Sequence, residues 1–92
     1  MSNVSILIPP PLRRFVGGDS RIAASADTVR EAVDVFTARS EALRNHLFDE
    51  NDALRRYVRV FVDGRAAVLS RGSDEPVRDG AEVSILIALA GG

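Results

Sequence analysis

The sequence predicts an α+β domain in two layers, a mixed sheet packed on one main helix. Three observations carry that prediction. Short β-rich apolar runs, Val4 to Ile8 and Val83 to Ile87, stand near the two ends of the chain. Between them, Val29, Ala32, Val33 and Phe36 recur at helical spacing behind a capping signal. A third run, Tyr57 to Val62, has period two and stops at Asp63-Gly64, the preferred pair for a tight hairpin. Strands at both ends with a helix between them need one sheet wrapped over that helix.

The elements follow in order. Val4 to Ile8 is ended by Pro9-Pro10-Pro11, which cannot continue a ladder. Leu12 to Val16 leads to the turn Gly17-Gly18-Asp19-Ser20, and Arg21 to Ala24 returns as the second strand of a hairpin. Thr28-Val29-Arg30-Glu31 is a capping box, so the main helix begins there with Arg30, Glu31 and Asp34 toward water. A second, shorter helix runs from about Glu41 to Leu47, with Leu43 and Leu47 one turn apart. Asp49-Glu50-Asn51-Asp52 reads as a solvated acidic loop. After the Asp63-Gly64 turn, Ala66 to Leu69 forms a short return strand, and Ser70 to Asp79 is irregular. Asp79-Gly80 turns the chain into the last strand, Val83 to Ile87, which points into Ala88-Leu89-Ala90-Gly91-Gly92. Residues 1–88 are read as the domain and 89–92 as a flexible tail.

Composition narrows the function classes. Ninety-two residues with 46% hydrophobic and 27% charged content describe one small globular domain, neither disordered nor membrane-embedded. A net charge of −1 gives no global pull toward nucleic acid or anionic lipid. Every basic residue is arginine, so the chain offers no lysine side chain for conjugation to itself. The lack of cysteine excludes disulfides, zinc–thiolate sites and a cysteine nucleophile, and fits a reducing compartment. No signal peptide or membrane-length apolar run is visible, so a cytoplasmic location is expected. With one histidine and no cysteine, the main-chain carboxylate of Gly92 is the best candidate for a reactive group. Glycine has no Cβ, so a Gly-Gly end enters channels too narrow for other residues.

The element order, the Val60-Phe61-Val62-Asp63-Gly64 hairpin, the segment Asp79 to Ile85 and the closing Ala90-Gly91-Gly92 together resemble the ubiquitin-like β-grasp sulfur carriers of the ThiS/MoaD type. That family includes the thiamine sulfur carrier and the small subunit of molybdopterin synthase. Ile8-Pro9, Leu12-Arg13, Gly17-Gly18 and Leu54 to Val58 look most similar to the actinobacterial carriers used in cysteine synthesis. The resemblance implies that an E1-like enzyme, using ATP and magnesium, adenylates Gly92, and that a sulfur donor then converts it to a thiocarboxylate. By the same resemblance the chain would bind no cofactor or metal, hold no catalytic residue, and act as a protein cosubstrate rather than an enzyme. In the cysteine pathway the thiocarboxylate would attack an activated serine derivative held by a pyridoxal-phosphate-dependent cysteine synthase. An S-to-N acyl shift would leave a cysteine on the tail for a metallopeptidase to remove. Alternatives within the family are molybdopterin synthesis, thiamine synthesis or another sulfur-containing metabolite; a ubiquitin-like protein modifier is the alternative of another class. The free chain is expected to be a monomer that binds neither nucleic acid nor membrane.

Strand parity locates the expected partner surface. If Val83, Ile85 and Ile87 face the core, then Ser84, Leu86 and Ala88 face outward, and Arg59 and Phe61 do the same beside them. Phe61 beside Leu86 would form an exposed apolar patch leading to the tail, with Leu89, Ala90 and Gly91 carrying Gly92 into a partner. Other signals carry less. His46 has no partner arrangement for catalysis and reads as a surface or helix-end residue. Asp49, Glu50 and Asp52 lack the calcium-loop pattern. Arg55, Arg56 and Arg59 form a local basic cluster that suits an acidic partner surface better than nucleic acid, or else is a plain solvated face.

Overall fold

The computed structural model describes residues 2–67, 69 and 75–88. Two strands from opposite ends of the chain, β1 (Ser2–Leu7) and β5 (Glu82–Ile87), lie parallel at the centre of one sheet. Strand β2 (Arg21–Ala26) pairs antiparallel with β1, and β3 (Val58–Val62) pairs antiparallel with β5. The two-residue β4 (Arg65–Ala66) completes the order β2-β1-β5-β3-β4. A parallel central pair requires a long crossover, and the helices supply it.

Helix α1 (Val29–Thr37) starts at the predicted Thr28 cap, with the return bond from Glu31 reaching one residue further back than a strict capping box. The Thr28 hydroxyl accepts the Glu31 N–H at 3.1 Å, and Glu31 Oε1 accepts the Asp27 N–H at 3.3 Å. Its Val29, Ala32, Val33 and Phe36 are fully buried against the sheet. Helix α2 (Glu41–Leu47) is capped by the Ser40 hydroxyl and adds Leu43 and Leu47 to the same core. The four longer strands contribute every second residue, Val4 and Ile6, then Ile22, Ala24 and Ala26, then Val58, Val60 and Val62, then Val83 and Ile85, while β4 is exposed. Ile87 packs half-buried at the margin, so the predicted parity of β3 and β5 holds along both strands.

Four local expectations change. The segment Pro10–Val16 is a 3-10 helix that buries Leu12 and Val16, with proline at its start where no N–H is needed. The return strand is Arg65–Ala66 rather than Ala66 to Leu69; Leu69 packs against the core, and Val68 lies outside the described residues. Arg30 and Asp34 are half-buried rather than facing water, because Arg30 lies over the Phe48 ring at 4.5 Å and pairs with Asp34 and Asp52. The loop 49–52 is not merely solvated. Asp49 Oδ1 accepts the N–H groups of Asn51 and Ala53, and Asp52 is clamped between Arg30 and Arg44. Of the stretch expected to be irregular, 70–74 lies outside the described residues, while Val77 is buried and its N–H donates to the Asp27 carbonyl.

The Asp63-Gly64 hairpin forms as expected, with both residues at positive φ, +49° and +89°. That pair of angles suits a twisted two-residue connection and favours glycine at the second position. Asp63 also accepts the Glu82 N–H at 3.0 Å, tying the hairpin to the start of β5.

Candidate functional site

The outer face of the sheet is open where β5 leaves it. Register and pleat put Leu7 of β1, Ser84 and Leu86 of β5, and Arg59 and Phe61 of β3 on this face. Leu86 is 48% exposed, the most exposed large apolar side chain among the described residues. A leucine held outward on a central strand leaves about half of its apolar surface in water.

The strand stagger alters one detail of the expected patch. Leu86 stands directly opposite Arg59, and Phe61 stands opposite Ser84. Phe61 is half-buried and diagonal to Leu86, within reach across the strands but not beside it. The row Leu7–Ser84–Phe61 crosses three strands, and Leu86 is the next outward position toward the end of β5.

On the β1 side, a groove of about 220 Å³ is lined by Leu7, Pro9, Pro10, Arg13, Ser84 and Leu86. Sequence parity did not reveal this half of the site. The prolines read there only as strand breakers, and Arg13 enters because the 3-10 helix folds back beside the sheet. Its Nε donates to the Ile8 carbonyl at 3.0 Å, which fixes the guanidinium at the groove wall.

The chain's path out of the sheet is held one residue past β5. The Ala88 N–H donates to the Tyr57 carbonyl at 2.6 Å, extending the β3 ladder to an exposed Ala88. Residues Leu89, Ala90, Gly91 and Gly92, expected to carry the chemistry, lie outside the described residues.

The remaining candidates have structural explanations. His46 packs against the Phe15 ring at 5.4 Å, and its Nε2 accepts from Arg14 at 3.3 Å. No group of three or more His, Cys, Asp or Glu that could hold a metal occurs among the described residues. No helix of the described residues is long and apolar enough to cross a membrane. At Asp52, partial desolvation pushes the carboxyl up, but the Arg30 and Arg44 guanidiniums outweigh it and hold it below its ordinary value. Arg44 and Arg30 also lie over the Phe48 ring, so this cluster staples the 49–52 loop to both helices.

Comparison with known proteins bears on the family and the fold. A family model described as the ThiS family matches residues 6–92. The chain is 33% identical over 92 residues to the sulfur carrier protein CysO of Mycobacterium tuberculosis, spanning 98% of this chain and 99% of that protein. A chain in the crystal structure of the Amycolatopsis orientalis BexX/CysO complex superposes with a TM-score of 0.81. It shows 34% identity, over 97% of this chain and 99% of that one. The small archaeal modifier protein SAMP1 of Haloferax volcanii superposes with a TM-score of 0.82 at 22% identity, covering 99% and 100% of the two chains. That last likeness speaks to the fold alone. The mixed five-stranded sheet over α1 is the ubiquitin-like β-grasp that the resemblance implied.

Proposed function

The chain belongs to the ThiS family, and we propose that it is a sulfur carrier, a protein cosubstrate whose Gly92 carboxylate is turned into a sulfur-donating thiocarboxylate. The observation that carries this reading is the 33% identity to the CysO sulfur carrier over the whole length of both chains. The family match that runs through residue 92 supports the same end of the chain as its reactive part.

The chemistry needs activation because a free carboxylate is a poor electrophile. An E1-like enzyme, with ATP and magnesium, joins the Gly92 carboxylate to AMP and releases pyrophosphate. A sulfur donor then displaces AMP and leaves a thiocarboxylate, so one difficult substitution becomes two easier ones. This chain supplies the terminus and the docking face; the partner enzymes supply the catalysis. Four residues beyond Ala88 can span at most about 14 Å, enough to carry a carboxylate into a channel while the sheet face rests at its mouth. Leu86, Phe61, Ser84, Arg59 and Ala88 form that face, and Leu89, Ala90 and Gly91 form the approach.

Cysteine biosynthesis is the pathway we assign, on the CysO identity. There the thiocarboxylate sulfur attacks an activated serine derivative held by a pyridoxal-phosphate-dependent synthase. The acyl group then shifts from sulfur to nitrogen, and a metallopeptidase releases the new cysteine from Gly92. Intact-mass spectrometry of the chain from its native host tests the proposal. Replacement of one terminal oxygen by sulfur supports the carrier, and an added cysteine selects the pathway. A sulfur-bearing end that never acquires cysteine points instead to a pterin, thiamine or other acceptor. Conjugates to other proteins with no thiocarboxylate would refute the carrier and favour a modifier.

A further inference from the structure

Resting on the carrier reading, we infer that arginines around the root of the tail form a basic collar that docks onto an acidic protein surface surrounding a partner's tail channel. Of the eleven described arginines, five pair with carboxylates and six do not. Arg21, Arg30, Arg44, Arg65 and Arg78 each form an ion pair with a carboxylate of the chain. Among the described residues Arg13, Arg14, Arg39, Arg55, Arg56 and Arg59 form none, and all of these but Arg39 belong to one connected set of contacts near the end of β5.

Hydrogen bonds define that end. The Ala88 N–H on the Tyr57 carbonyl places residues 55–57 where the chain leaves the sheet. Arg59 stands in register with Leu86, while Arg13 lines the groove on the other side of Leu86. The Tyr57 hydroxyl donates to the His46 carbonyl at 3.3 Å, and Arg14 meets the His46 ring, which brings α2 and the 3-10 helix to the same place. Arg39, also without a carboxylate partner among the described residues, follows α1 in the chain and belongs to none of the contacts that join the other five.

The partners these side chains do have are neutral. Arg13 donates to the Ile8 carbonyl at 3.0 Å, Arg55 to the Asn45 carbonyl at 2.7 Å, and Arg59 to the carbonyls of Val58 and Arg56. A carbonyl orients a guanidinium without cancelling its charge and leaves further N–H donors free for a paired contact to a carboxylate. Arg56 is exposed beside a depression of about 480 Å³ that it shares with Asp49, Leu54, Arg55 and Tyr57. The Asp49 oxygen on that wall is occupied by two backbone N–H groups rather than by an arginine. Glu50 follows it, exposed, on the same loop.

The collar is therefore not a product of overall basicity, since the chain carries a net charge of −1. Among the described residues, carboxylates pair with five arginines elsewhere and leave these five beside the Leu86 groove without one. Arg13 and Arg59 flank Leu86 on its two sides, so a partner there must combine apolar contact with carboxylates, which a protein surface does and a nucleic-acid backbone does not. Charge complementarity of this kind acts mainly on association rate and orientation, and salt screens it.

The test is thiocarboxylate formation by the adenylating enzyme of the same organism, measured as kcat/KM at about 50 mM and about 300 mM salt, where screening differs strongly. Arg56→Glu and Arg59→Glu are compared with Arg39→Glu, a charge reversal of equal size outside the collar. The collar variants are expected to lose about five- to tenfold in kcat/KM at low salt, mainly through KM, with the loss shrinking at high salt. Arg39→Glu should match the unaltered chain, and thermal melts should show all three folded. Equal kcat/KM for Arg56→Glu, Arg59→Glu and Arg39→Glu at low salt would overturn the collar while leaving the carrier reading intact. No thiocarboxylate from the unaltered chain would instead refute the carrier reading, and the partner assigned to the collar would fall with it.

Discussion

Ile85 and Leu86 are neighbours on β5 that face opposite ways, and their alanine variants should fail in opposite manners. Ile85 is 1% exposed in the core, so Ile85→Ala removes buried methyl groups and leaves a cavity at a cost of about 2–5 kcal/mol. That is a large share of the ~5–15 kcal/mol that holds a domain of this size folded. Leu86 is 48% exposed, so about half of the ~1.5–3 kcal/mol available from burying a leucine is not used in folding. If a partner covers it, about 1 kcal/mol goes to binding, and Leu86→Ala should raise KM for the adenylating enzyme about fivefold. The same variant should lower Tm by no more than about 4–8 °C, the shift expected for about 1 kcal/mol in a domain of this length. Circular-dichroism melts give the stability arm, and initial rates of thiocarboxylate formation give the binding arm. Ile85→Ala, assayed well below its lowered Tm, should keep its KM. An unchanged KM for Leu86→Ala, or equal Tm losses for the two variants, would refute the division of β5 into a folding face and a docking face.

Deleting Gly92 should abolish thiocarboxylate formation by intact-mass measurement while leaving the thermal melt unchanged, and retained activation would remove the proposed mechanism. Thr28→Ala deletes the α1 N-cap, so urea unfolding should show a loss of about 1 kcal/mol, with Thr28→Ser restoring it. Asp52 has a lowered carboxyl pKa in the folded chain, so its contribution is present above its ordinary value of 3.8 and fades as pH falls through the still lower folded value. Asp52→Asn should therefore lower Tm at neutral pH, and the two melting curves should converge in acid below that range; a gap constant down to pH ~2 would contradict the clamp.

The parts of the fold legible in the sequence are those written in local patterns. The capping box and the spacing of Val29, Ala32, Val33 and Phe36 belong to one helix and need no distant partner. The alternation in Val58 to Val62 and Val83 to Ile87 likewise names the outward residues before any neighbour is known. What alternation cannot supply is the offset between strands. A period of two sets which face a side chain takes, not which residue stands across from it, so Arg59 rather than Phe61 proved to oppose Leu86. The 3-10 helix was hidden for a related reason: Leu12 and Val16 show their role only against a core that already exists.

The Asp52 clamp and the arginine collar lie further still from what a linear reading reaches. Arg30, Arg44 and Asp52 meet because α1, α2 and the loop after them fold onto one another around Phe48. Arg13 and Arg59 flank Leu86 because β5 runs between elements from distant parts of the chain. Residue order was thus sufficient for the β-grasp class, the inward and outward faces of β5, and the Gly91-Gly92 end as candidate chemistry. Strand offset and helix crossing, which depend on contacts between residues far apart in the chain, decided which charges are cancelled and which surround Leu86. Pairing is a property of distances in space: twelve arginines in an acidic chain say nothing of a cationic end until the fold neutralises some and leaves others uncompensated.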